Sequence, residues 1–248
     1  MNEGVTLSLT GNKTSLFSNY FPPINVHEDS EIALLCLQTY NTFPNINETN
    51  NEVVILIQDN SLLSEDNFII KVPIGCFEFD ALKKRILNII DEYNKKSKKI
   101  IEFEIKLDNT TFKTSIKCNY PIDFSISNSI ASIFGFEKKV YNAKTEWKSE
   151  KPVDINPINS IKVICNIAQG SFNNSQPSHT IHEFFPTGIT GTKIVERPTN
   201  LIYYKLNTPV IDRVHIELAD QDQNPIHNFS EKITIVLHIR RCRYGTNI

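Results

Sequence analysis

Two runs near the end of the chain decide the fold class: Val210-Ile211-Asp212-Arg213-Val214-His215-Ile216-Glu217-Leu218-Ala219 and Lys232-Ile233-Thr234-Ile235-Val236-Leu237-His238-Ile239-Arg240-Arg241. In the first, Val214, Ile216 and Leu218 fall on one side and Arg213, His215 and Glu217 on the other, and the second alternates in the same way. A period of two marks a strand with one buried face. Between them, Ala219 to Pro225 carries Asp, Asn and Pro, which favour turns through side-chain bonds to the backbone or through a fixed φ. Strands of this kind at the chain's end close a sheet. They carry no catalytic signature, so function is expected from surface and assembly.

Working outward, shorter strand signals recur at both ends of the chain. Val5 to Leu9 alternates, and Glu31 to Thr39 is almost continuously apolar, which reads as a strand buried on both faces or a short buried helix. The following Tyr40 to Asn45, with Pro44, favours the strand. Between them, Asn19-Tyr20-Phe21-Pro22-Pro23-Ile24 reads as an arm with an aromatic anchor, because paired prolines remove backbone donors. Val53 to Ile57 is a β-branched strand bounded by Asn50-Asn51 and Asp59-Asn60-Ser61. Later candidates are Ser160–Ile167, His179–Phe185, Lys193–Glu196 and Leu201–Tyr204, with turn residues between them.

The middle of the chain differs. After a strand over Phe68–Ile74, the segment Asp80–Asn94 spaces Leu82, Ile86, Ile89, Ile90 and Tyr93 as one helical face. Ile101, Phe103, Ile105 and Leu107, then Phe112, Thr114, Ile116 and Cys118, predict a hairpin with one apolar face for that helix to cover. A second short helix is expected with Ser127 as its cap and Gly135-Phe136 as a left-handed terminus. The expected fold is mainly β: a single jelly-roll β-sandwich from residues 1–65 and 146–248, with a small α+β insertion of strand, helix, hairpin and helix over 66–145.

The totals exclude several classes. With 26 basic and 28 acidic residues the net charge is -2, unlike the strongly basic domains that bind nucleic acid. Cys36, Cys76, Cys118, Cys165 and Cys242 are too far apart in sequence for a zinc motif and mostly lie in apolar runs, so buried free thiols are expected. The start has no basic n-region and no stretch approaches a membrane span, so a cytosolic product is expected, and Asn-x-Ser/Thr triplets at Asn12, Asn47, Asn109, Asn173 and Asn228 are read as incidental.

Asp220, Asp222, Asn224 and Glu231 match positions 1, 3, 5 and 12 of a calcium loop, but Pro225 stands where the turn needs glycine and strands flank it, so a solvated turn is expected. His215 and His238 could face each other on neighbouring strands, whereas His179 and His182, three apart, point to opposite sides of a strand. Neither pair is expected to hold a metal. No hydrolase elbow, phosphate loop or Cys-His-Asn set occurs, and no enzyme activity or cofactor is expected. Lys95-Lys96-Ser97-Lys98-Lys99 reads as a solvated helix end, and Arg240-Arg241-Cys242-Arg243 as the one tract that could touch an acidic partner such as packaged nucleic acid.

Several segments together resemble the minor capsid (penton) protein of Polinton or Maverick elements and the related adintoviruses. They are Leu7-Ser8-Leu9-Thr10 with Tyr20-Phe21-Pro22-Pro23-Ile24, Leu37 to Ile46, Ile74-Gly75-Cys76-Phe77-Glu78, Ser132-Ile133-Phe134-Gly135-Phe136, Pro198 to Tyr204, and Ile226 to Arg240. The resemblance implies a homopentamer at the five-fold vertices of an icosahedral virion, beside a double-jelly-roll major capsid protein. A ring of five needs two different complementary faces on each subunit. The alternative is a monomeric cellular β-sandwich module that binds carbohydrate or peptide through aromatics such as Tyr203-Tyr204 or Tyr20-Phe21.

Overall fold

The computed structural model describes residues 4–58, 65–143, 145–156 and 158–242. The leading strands are β1 (Gly4–Gly11), β2 (Ser15–Asn25) and β3 (Ser30–Tyr40). Then come β4 (Glu52–Gln58), β5 (Glu65–Lys71), the helix α1 (Phe79–Asn94), β6 (Phe103–Leu107), β7 (Thr114–Cys118), β8 (Ile122–Asp123), β9 (Val140–Tyr141) and β10 (Trp147–Lys148). The trailing strands are β11 (Ile161–Cys165), β12 (Ala168–Gln169), β13 (Ser171–Asn173), β14 (Gln176–Ser178) and β15 (Thr180–Phe184). They continue with β16 (Lys193–Glu196), β17 (Tyr204–Leu206), β18 (Val210–Ala219) and β19 (Ile233–Arg241). The chain divides into two compact units, Met1–Phe43 with Ile158–Ile248, and Pro44–Pro157.

The first unit is a sandwich. One sheet runs β1-β19-β3-β17-β12, with β16 sharing the side of β3 that β17 occupies, and the other runs β15-β11-β18-β2. Along the chain β1, β2 and β3 alternate between the sheets, β11 and β15 form a hairpin in the second, and β16–β17, β18 and β19 alternate again. That wrapping is a jelly roll. Leu7 and Leu9, Ile32, Leu34 and Leu37, and Ile235, Leu237 and Ile239 of one sheet share a core with Val163 and Cys165, and Val214, Ile216 and Leu218, of the other. Burying each such side chain stabilises by about 1.5–3 kcal/mol.

The last two long strands, read from sequence as neighbours, belong to opposite sheets. β18 lies between β11 and β2, while β19 lies between β1 and β3. Alternation reports that each strand has one buried face, and here the two buried faces meet across the core. In β3 the register slips by one residue opposite Val236–Leu237, so Leu34 and Leu37 both reach the core and the alternation is broken. The proline arm is also corrected. Ser15–Asn25 is one strand of the sandwich, and Tyr20–Pro23 form a bulge between the paired Asn19↔Arg213 and Ile24↔Ile211.

The second unit begins and ends elsewhere than the expected boundaries of 66 and 145. β4 pairs along its whole length with β5, from Glu52↔Lys71 to Gln58↔Glu65, and β10 pairs with β7. A β-branched run announces a buried strand without saying which sheet buries it. The Asp59–Ser61 turn falls outside the described residues. Two sheets, β5-β4-β8-β9 and β10-β7-β6, share a core with Leu82, Ile86 and Ile90 of α1. Buried Asn45 accepts from the Phe77 N–H and donates to the carbonyls of Phe77 and Ile155, which ties the unit's two ends to its interior.

The second helix is a single 3-10 turn, Ile130–Ser132, capped by Ser129 and not Ser127. Its end follows the expectation. Gly135 has φ +76°, its N–H bonds Ser132 O at 3.1 Å, and the Phe136 N–H bonds Ala131 O at 2.9 Å, the paired bonds of a Schellman terminus. Phe112 leaves the hairpin's apolar face: it sits at φ +55°, exposed, with its N–H bonded to Asp108 O.

Candidate assembly surfaces

On the outer face of the second sheet, β2 and β18 build an aromatic ledge. Register places Phe17 opposite His215, and the two rings stack at 4.1 Å and 4°. Ser15 Oγ and His215 Nε2 are hydrogen-bonded at 2.9 Å, and Arg213 Nε donates to Asn19 Oδ1 at 3.0 Å. At the bulge Tyr20 packs against the core, so Phe21, its neighbour, points away and is 100% exposed. The alternation of β2 carries a signal for this ledge, since Phe17 and Phe21 are large apolar residues on the side where the pattern calls for polar ones.

The outer face of the first sheet carries a different cluster. Tyr203 and His238 are joined from hydroxyl to Nδ1 at 2.9 Å, and the Arg240 guanidinium lies 3.5 Å over the Tyr203 ring. Arg240 also donates to Glu31 Oε2 from Nε and Nη2, each at 3.3 Å. Tyr203 is thus engaged with its own sheet, and Tyr204 packs on the core. The basic tract is divided: Arg240 is held by Tyr203 and Glu31, Arg241 is exposed, and Arg243 lies outside the described residues.

Exposed apolar side chains also stand on the loops. Phe185 and Ile189 are 72% and 73% exposed, on a loop held by Asn41 through bonds to Gly188 O, Thr192 O and the Gly191 N–H. Thr42 joins this group to the next loop through a 3.3 Å bond to Asn228 O, and there Phe229 is exposed at φ +50°. Phe172 is exposed on the β13–β14 hairpin, whose turn residues Asn174 and Ser175 both have positive φ. These tips were missed in sequence, where single aromatics inside turn-rich stretches leave no periodic pattern.

The residues weighed as ligands are dispersed. Asp220 Oδ1 accepts the N–H groups of Asp222 and Asn224, and its Oδ2 accepts from the Asn224 amide, so both oxygens close the turn. Asn228, buried, donates to Glu231 O. His215 and His238 stand on opposite outer faces, not facing each other, because Ile216 and Leu237 beside them point into the shared core. His179 Nδ1 bonds Ala168 O and His182 Nε2 pairs with Glu196 Oε1 at 2.9 Å. No cluster of three His, Cys, Asp or Glu suited to a metal occurs among the described residues. All five cysteines are free, but only Cys118 and Cys165 are fully buried; burial pushes the Cys165 thiol up to about 11. The Lys95–Lys99 tract follows the end of α1, where the Lys95 N–H caps Asp91 O.

A charged network of three groups lies in the second unit. Lys139 Nζ contacts Glu150 Oε1 at 2.8 Å and Glu137 Oε2 at 2.9 Å, and the Tyr141 hydroxyl donates to Glu150. Burial pushes the Glu150 carboxyl up, but bonds from Lys139, the backbone and Tyr141 outweigh it and hold the group at about 2. Burial, then the bond to Glu150, pushes Tyr141 up to about 12. The Tyr141 ring packs edge-on against Phe124, Phe136 and Trp147, so the network anchors an aromatic core.

No protein-family model and no curated protein matches the chain. Among solved structures, the chain is similar to the crystal structure of the mavirus penton protein, with a TM-score of 0.50 and 9% identity. The superposition covers 97% of this chain and 99% of that one, a likeness of fold over the full length of both.

Proposed function

We propose that this chain is a structural minor capsid protein that stands as a homopentamer at the five-fold vertices of an icosahedral virion, beside a double-jelly-roll major capsid protein. The observation that carries the reading is the wrapping of β1-β19-β3-β17 over β15-β11-β18-β2, in a chain whose length superposes almost entirely on a viral penton protein. Within that reading, the resemblance of the motifs from Leu7 to Arg240 supports a protein of the Polinton, Maverick and adintovirus type. The stacked Phe17–His215 pair on the outer face supports an assembly role, because contiguous exposed apolar surface marks interaction sites where singly scattered residues do not. Its task is geometric and not catalytic, and contact with nucleic acid is confined to the C-terminal basic tract.

Native mass spectrometry over a concentration series, with immunolabelling of particles, tests this. A species of five 28.4 kDa subunits and label at particle vertices are expected. A monomer at every concentration, absent from particles, overturns it. The stacked Phe17–His215 ledge favours a second reading, a monomeric module that binds carbohydrate or peptide. Saturable ligand binding lost in Phe17→Ala, with no oligomer, would select it.

A further inference from the structure

The loop that displays Phe185 and Ile189 leaves one sheet of the sandwich and enters the other. β15 pairs with β11 in the second sheet, β16 pairs with β3 in the first, and among the described residues no ladder joins β15 to β16. The excursion of residues 185–192 between them is closed at its base by a side-chain pair, His182 Nε2 with Glu196 Oε1 at 2.9 Å. Both side chains are half-buried, at 19% and 26% exposure. A backbone irregularity aims the histidine inward. Val163 pairs with His182 and Ile164 with Thr180, so Ile181 is the extra residue of a bulge, and Ile181 and His182 both turn to the core side. The imidazole lies nearly parallel to the Phe184 ring, at 6.2 Å and 15°. Glu196 stands opposite Leu37, two residues from buried Ile194, and so faces the same interior from the other sheet.

The other ionisable groups nearby face elsewhere or titrate elsewhere. Lys162 of β11 and Glu183 of β15 lie opposite each other on the outer face, bonded to Gln221 O and to Ser160 Oγ. Lys193 of β16 is exposed, one residue from inward Ile194, and exposed Arg197 follows Glu196. His179 Nδ1 is bonded to Ala168 O. β3 brings Leu37 and Thr39, which do not ionise. The inward Cys165 thiol of β11 is pushed up by burial to about 11, and β17 adds Tyr204, a phenol, a class that ionises near pH ~10.

We propose that His182 and Glu196 form a pH-sensitive clasp, which tightens the base of the 185–192 loop when His182 gains a proton. A neutral imidazole gives the carboxylate an ordinary hydrogen bond and an imidazolium gives it a charge-assisted one, and histidine side chains pass between these forms over about pH 5–8. A proton bound more tightly in the closed clasp than in the open one favours closure below that range, and the gain is lost as pH rises through it. Below about pH 4 the carboxylate is protonated in turn and the clasp lapses. The clasp governs how firmly Phe185 and Ile189 are presented. It goes beyond the vertex reading and stands without it.

Hydrogen exchange of the full chain tests it, read as protection relative to intrinsic rates at about pH 5.5 and about pH 8. The readout is the amides of Gly191 and Thr192, bonded to Asn41 O and Ile189 O, and those of residues 193–196, paired with β3. Relative to β18, they are expected to be about three- to fivefold better protected at the lower pH. His182→Gln keeps a donor and Glu196→Gln an acceptor without the charge, and either is expected to remove the difference. The proposal falls if the wild type shows no difference, if the difference survives in either variant, or if β18 changes equally, since the whole sandwich then titrates. If a variant does not fold, the wild type still decides. The pH midpoint of loop protection must coincide with that of the His182 ring protons in NMR, and a different midpoint overturns the clasp.

Discussion

The two units of this chain bury their cores by opposite routes. In the sandwich, neighbouring strands come from the two ends of the chain: Gly4 pairs with Arg240 and Ser30 with Arg241. In the inserted unit the main ladders are local, Glu52 to Gln58 with Glu65 to Lys71 and Phe103 to Leu107 with Thr114 to Cys118. Ordering a long loop must precede the first non-local contact, while short hairpins close cheaply. The insertion is therefore a unit that forms from its own neighbourhood, and the sandwich waits for both termini. Leu237→Ala and Ile86→Ala, each at a site with 0% exposure, break this contrast most directly. Each is expected to cost about 3 kcal/mol. Hydrogen exchange should quicken within the sandwich alone for the first and within the insertion alone for the second. Equal loosening of both units by either variant would mean one cooperative body.

A smaller effect probes how the insertion ends its 3-10 turn. Gly135 sits at φ +76°, and a Cβ there would meet the carbonyl oxygens of Lys151 and Pro152, the latter at 2.7 Å. Gly135→Ala therefore combines a left-handed backbone with overpacking against main chain that the 2.9 Å bond from the Lys151 N–H to Gly135 O holds close. A loss of about 2 kcal/mol in urea denaturation is expected, confined to residues 44–157.

The same contrast explains what could be read from the letters. Gly135-Phe136 was legible because a left-handed terminus is a local device, and the α1 face from Leu82 to Ile90 because its period is local. In the sandwich, alternation showed that Val214 to Leu218 and Ile233 to Ile239 each bury one face. Their neighbours were invisible, since periodicity says nothing of partners 200 residues away. The bulge at Leu34–Leu37 disguised β3 as a doubly buried strand, and Val53–Ile57 was given to the wrong unit because nothing local showed that it pairs with β5, a strand whose signal at Phe68 to Lys71 was itself legible. Of the surface aromatics, Tyr20-Phe21 and Tyr203-Tyr204 were singled out, and the structure separates both pairs, with Tyr20 and Tyr204 packed on the core, Phe21 outward and Tyr203 bonded to His238.

The charged network in the insertion sharpens the comparison through pH. Glu150 is held at about 2 against an ordinary 4.5. A carboxyl lowered on folding stabilises fully above 4.5, and that stability is lost as pH falls from 4.5 through 2. Tyr141 is raised from 10 to about 12, so its contribution is complete below 10 and lost as pH rises towards 12. The Glu150 side chain is 30% exposed, and solvent screening reduces its effect to about 1–2 kcal/mol. Acid titration should destabilise the insertion between pH 4.5 and 2, and Glu150→Gln should flatten that limb in exchange or urea midpoints. An unchanged acid limb in Glu150→Gln would assign the loss to other carboxyls.

The smallest effect on stability belongs to the residue with the greatest exposure. Phe21 projects from the one bulge of β2 and buries nothing, so Phe21→Ser should change the folding free energy by less than about 0.5 kcal/mol. Tyr20 beside it already supplies the bulge's contact with the core. If the ledge of Phe17, His215 and Phe21 is a face between subunits, the same variant should weaken assembly, because a buried aromatic anchor at an interface commonly costs more than 1 kcal/mol when truncated. Native mass spectrometry of Phe21→Ser then shows fewer oligomers at equal concentration while thermal unfolding is unchanged. A variant that unfolds earlier yet assembles normally would return Phe21 to the sandwich's own stability and move the assembly face to the loop tips around Phe185 and Phe229.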